Sequence, residues 1–104
     1  MLVAIALSPG CRRGDDAHAA AGPDPKRGRQ AYVTYCIACH SPDPSKDGPL
    51  GPAITGSSSE LLEARVLRST YPPGYVPKRD TQVMVAIPQA AEDLDDLTAY
   101  LNAP

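Results

Sequence analysis

Cys36-Ile37-Ala38-Cys39-His40 decides the reading of this chain. Two thiols three residues apart, with an imidazole directly after the second, form the pattern on which a porphyrin is held covalently. The thiols add to its vinyl groups as thioethers, and the His places a ring nitrogen under the iron as proximal ligand. A structural zinc site would need four ligands, usually as two separated pairs. Outside the pentapeptide only Cys11 and His18 are available, and both fall in a segment that reads as leader or linker. Adjacent Cys39 and His40 are also awkward partners for one tetrahedral ion. A thioredoxin-like dithiol would need a βαβ setting and gains nothing from a His after its second Cys. Haem is therefore the reading that these residues favour, and a small zinc module is the alternative from another class.

Working outward, the chain has 104 residues, and the stretch that can fold begins near Asp24, which is enough for one small domain. It contains no Phe and no Trp, and its aromatics are Tyr32, Tyr35, Tyr71, Tyr75 and Tyr100. An interior built from these side chains alone is thin, and domains of this size lean on a metal, a disulfide or a cofactor. A haem among the helices supplies the missing apolar mass, so the apoprotein is expected to fold poorly. The formal charge of -2, with no basic stripe, argues against a nucleic-acid binder. Glu92, Asp93, Asp95 and Asp96 make an acidic start to the last helix and read as dipole complementation on a solvated face. No Ser/His/Asp set, carboxylate pair in a motif or phosphate-binding Gly loop occurs, so the expectation is that the chain is not an enzyme.

Residues 1–23 read as a leader and tether, and residues 24–104 as the folded domain. The apolar run Leu2 to Leu7 resembles the remnant of an export signal, and it is far shorter than the ~20 residues of a membrane span. Gly10-Cys11 resembles the end of a bacterial lipobox, from which Ser8 and Pro9 depart; a lipidated Cys11 and a free thiol both stay open. Asp15 to Gly22 has the composition of a tether, and His18 within it is given no role. Structure begins at Asp24-Pro25, an N-cap followed by Pro at the first helical position. This first helix runs to the Cys motif. A second, capped by Ser57, Ser58 or Ser59, spans Glu60 to about Thr70, and a last one spans about Ala90 to Asn102 with Leu94, Leu97, Tyr100 and Leu101 on one face. The segments between them are rich in Pro and Gly and read as loops. The fold class is all-α, with no strand pair or repeat.

Gly28 and Tyr32 ahead of Cys36, with Tyr100 in the last helix, complete a pattern in which Pro25 to Leu101 resembles a class I c-type cytochrome of the short bacterial monohaem kind. The resemblance implies a cytochrome c fold, three to four short helices around one haem c attached through Cys36 and Cys39, with the first and last helices crossing closely at Gly28. Gly51-Pro52-Ala53-Ile54-Thr55-Gly56 resembles the family's G-P-x-L-x-G turn, in which the Pro52 carbonyl would take the Nδ1-H of His40 and orient its ring. Gly48-Pro49-Leu50 is a second match, so Pro49 is the alternative acceptor. Met84, the one Met beyond Met1, stands where the family places its distal ligand, which makes His40 and Met84 the metal ligands. Val85 follows it where the family often has Pro, and Pro88 comes later. Tyr71, Tyr75 and Arg79, with Lys78 beside them, are candidates to hold the haem propionates.

The implied function is to carry single electrons between larger redox proteins, as a monomeric domain or a small subunit of a redox complex. The implied location is the bacterial periplasm, with membrane anchoring if Cys11 is lipidated. The alternative is a haem-based ligand sensor or small-molecule enzyme whose sixth coordination position is open.

Overall fold

Asp24 and Pro25 start the first helix as their chemistry dictates. The structure, a computed structural model, describes residues 22–104; the readings of the leader, Cys11 and His18 lie outside the described residues. The Asp24 side chain accepts the Lys26 amide at 2.9 Å, and Pro25, which has no N–H to satisfy, opens helix α1, Pro25–Tyr35. Helix α2, Ser59–Arg68, is capped by Ser58, whose hydroxyl accepts the Leu61 amide at 3.1 Å. The chain then runs without helix through Tyr71-Pro72-Pro73-Gly74-Tyr75-Val76-Pro77, where the prolines forbid the ladder. It closes with a 3-10 segment, Pro88–Asp93, and helix α3, Leu94–Leu101. The described residues contain no strand, so the architecture is all-α.

The last helix starts later than its apolar periodicity predicts. Pro88 to Asp93 winds more tightly, and the α geometry begins only at Leu94. The cause is an anchor at the entry: the Ile87 amide donates to the Val66 carbonyl of α2 at 2.6 Å, and Pro88 follows with no amide to give.

The core sits where α1 and α3 cross, with α2 against one side. Tyr32 is 0 % exposed and Leu97 and Leu101 each 1 %; Ala31 and Leu62 complete the cluster. The Tyr32 and Tyr100 rings lie 5.6 Å apart in a tilted arrangement. The Tyr32 hydroxyl donates to the Ser41 carbonyl just past the Cys motif. Burial, reinforced by the nearby Cys36, Tyr100 and Asp43, pushes this phenol up to about 12.

Asp96 corrects the reading of the acidic run as a solvated face. It is 1 % exposed, accepts the Asp24 amide at 2.7 Å and lies 3.4 Å from Nε of Arg27. A carboxylate at this depth is tolerated because charged and neutral donors surround it. It locks the start of α1 onto α3.

Gly28 makes that crossing possible. A Cβ at this position would run into the backbone carbonyl of Asp96 and stand 2.8 Å from the Cβ of Tyr100. Neither neighbour is the free end of a flexible chain, so the helices would have to separate. Gly28→Ala is therefore expected to lower stability by about 1–3 kcal/mol, the usual range for overpacking. Helix propensity alone would raise it by about 1 kcal/mol. Thermal unfolding of the haem-loaded protein decides the sign, and a higher midpoint in the variant would mean that the contact is looser than it stands.

Candidate functional site

The Cys motif is a turn built on the C-terminal end of α1. The Cys36 amide still donates to Tyr32 as a helical residue would, at 2.9 Å, and the Cys36 carbonyl then accepts from both Cys39, at 3.2 Å, and His40, at 2.9 Å. One carbonyl thus gathers the two thiols and the imidazole into a single turn. Both thiols are free of disulfides, Cys36 half-buried and Cys39 exposed. Burial, helped by the neighbouring Cys39, pushes the Cys36 thiol up to about 11, so it holds its proton at neutral pH.

The loop after His40 folds back to fix the ring. Nδ1 of His40 lies 2.8 Å from the Pro52 carbonyl oxygen, which can only accept, so Nδ1 carries the proton and the lone pair is on Nε2. This decides between the two prolines. The Gly48-Pro49-Leu50 stretch serves the Cys turn instead. The Gly48 amide donates to the Gly51 carbonyl at 2.8 Å, and the Leu50 and Gly51 amides clamp the Cys39 carbonyl at 3.1 and 2.9 Å. Gly51 lies against the flat of the imidazole, where a Cβ would strike Cε1 and stand 2.5 Å from Nδ1. The ring, 8 % exposed, is held by its edge and by its face.

His40 belongs to the wall of a largely apolar cavity of about 1230 Å³, its open mouth included. Cys36, Cys39, His40, Pro52 and Met84 all line it, and so do Tyr71, Tyr75, Lys78 and Arg79. Every site residue expected from the sequence therefore borders one space. The loop carrying Lys78 and Arg79 is strapped to the loop behind His40: Lys78 Nζ donates to the Ala53 carbonyl at 2.7 Å, and Arg79 Nη2 reaches the Gly48 carbonyl at 3.5 Å and Asp47 at 3.9 Å. Tyr71 and Tyr75 stack with ring centroids 5.4 Å apart.

Arg65 joins the site without having been expected from the sequence. It lines the same cavity, with its guanidinium 4.1 Å from the centre of the Tyr71 ring and within 3.3 Å of the Thr70 carbonyl. The signal was available, since Leu61, Leu62, Arg65 and Val66 recur at helical spacing on one face of α2, and all four border the cavity.

The donor set suits a porphyrin and offers little else. Among the described residues no three His, Cys, Asp or Glu side chains come together as a metal cage. What the residues provide is one imidazole with an aimed lone pair, two thiols one turn away and an apolar slot, which together define a c-type haem protein of class I. The chain belongs to the cytochrome c family, whose family model matches residues 25–103. Neither a curated protein nor a solved structure matches it. Its cofactor is accordingly haem c, held covalently through Cys36 and Cys39, and it is an electron carrier that works with redox partner proteins.

Proposed function

We propose that this chain shuttles single electrons between larger redox proteins through an iron ligated by His40 and Met84. When bound, haem iron supplies a one-electron ferric/ferrous couple. The protein's part is to keep that couple six-coordinate and dry. The observation that carries the reading is the 2.8 Å bond from His40 Nδ1 to the Pro52 carbonyl, which aims Nε2 into a cavity that Met84 also lines. Sulfur ligation raises the reduction potential and denies oxygen or peroxide a place. Ile54, Leu62, Val66 and Leu97 exclude water from the cavity wall. Tyr71, Tyr75 and Arg79 border the same space and offer two hydroxyls and a guanidinium to the haem carboxylates.

Residues 1–23 are proposed as export signal and tether, which would place the domain in a bacterial periplasm. No helix among the described residues is long and apolar enough to cross a membrane. A lipid on Cys11 would hold the domain near membrane-bound partners and raise its effective concentration there. Mass spectrometry of the native protein tests the anchor, which predicts acyl chains on an N-terminal Cys11; a native N-terminus beyond Ala17 would remove it.

Carbon monoxide separates the carrier from a sensor or enzyme with an open face. The ferrous wild type is expected to resist carbon monoxide while giving up its electron readily to an outer-sphere oxidant. Prompt binding of the gas would favour the open site.

A further inference from the structure

Ser69 is the one non-glycine residue with positive φ among the described residues, at φ 54° and ψ 32°. It terminates α2 in the left-handed conformation, a position where glycine is the ordinary occupant because a Cβ is strained there. A serine is not needed to end this helix. Capping is by main-chain donors, the Ser69 amide and, at 3.0 Å, the Thr70 amide, both going to the Ala64 carbonyl. The serine hydroxyl goes elsewhere: it donates to the Met84 carbonyl at 2.7 Å, across 15 residues of chain. Three residues beyond Met84, the Ile87 amide donates to the Val66 carbonyl.

The consequence is local and specific. The chain from Tyr71 to Val83 contains no helix, and the straps it makes through Lys78 and Arg79 lie six and five residues ahead of Met84. Nearer to it are the two bonds to the end of α2, one at Met84 itself and one three residues beyond. We infer that Ser69 is a positioning residue for Met84, retained in a strained conformation because its hydroxyl holds the backbone of the distal ligand against α2. The inference rests on Met84 being the sixth ligand.

Cyanide binding to the ferric, haem-loaded protein reads this directly, since the anion enters only when the thioether swings away. Ser69→Gly removes the hydroxyl and relieves the left-handed strain at once. Its expected signature is cyanide binding faster by roughly 2- to 10-fold, the factor that one net hydrogen bond carries, with a thermal midpoint equal to or above that of the wild type. Ser69→Ala should bind cyanide as fast as the Gly variant without the gain in stability. A merely structural Ser69 would instead give Ser69→Gly an unchanged cyanide rate, which overturns the inference. A wild type that lacks the far-red sulfur-to-iron band and takes up cyanide as fast as Met84→Ala would overturn the ligand assignment itself and the inference with it. An intact band in the wild type with no effect of Ser69→Gly defeats only the role of Ser69.

Discussion

Replacing Cys36 and Cys39 together by Ser is expected to yield a colourless protein that has lost most of its helix. The thioethers go, and without the haem they hold the apolar lining of the cavity has nothing to pack against. The core that remains is Tyr32, Leu97, Leu101, Leu62 and Ala31, in a chain without Phe or Trp. A domain this small does not hold its helices around an unfilled apolar cleft on so few buried side chains. The crossing of α1 and α3 should survive longest, because Gly28 and Asp96 join the helices away from the cavity. Far-ultraviolet circular dichroism of the double variant measures the effect. A native helix signal with a sharp thermal transition would show that the fold stands without its cofactor.

Met84→Ala is expected to separate attachment from ligation. Haem remains covalently bound, since Cys36 and Cys39 are untouched, but the iron loses its sulfur. The far-red absorption disappears, the reduction potential falls, and cyanide or carbon monoxide binds quickly to the vacated position. The shift should be large, because exchange of an axial thioether alters the iron's preference between oxidation states directly, whereas the surrounding residues act only through space. An unchanged spectrum in the variant would reduce Met84 to a side chain that fills space and would favour the ligand sensor.

Local chemistry was legible in the sequence wherever neighbours in the chain act on one another. The Cys motif, the Asp24-Pro25 helix start and a serine cap on α2 all depend on contacts within a few residues. The close approach at Gly28 was legible through the resemblance, and the structure supplies its reason in the Asp96 carbonyl. The choice of Pro52 over Pro49 was favoured by the resemblance but left open, because both prolines sit in similar Gly-containing turns. It is decided by three-dimensional closure: the first turn is used up in clamping Cys39, which leaves the second to face His40. Asp96 was misread for a related reason. Glu92 and Asp95 in the same acidic run are exposed, while the partner that Asp96 bonds, Asp24, is 72 residues away. Ser69 and Met84, 15 residues apart, follow the same rule. Arg65 differs, since helical spacing alone places it with Leu61 and Leu62, and its charge sets it apart from the apolar stripe that shares its face.

On the proposed reading the haem is covalently attached, six-coordinate and built to exchange electrons. Reductive titration of the wild type followed by visible absorption tests it most directly. The prediction is a single reversible one-electron transition between two low-spin spectra, with a far-red sulfur-to-iron band in the ferric form. A high-spin ferric spectrum without that band would contradict it.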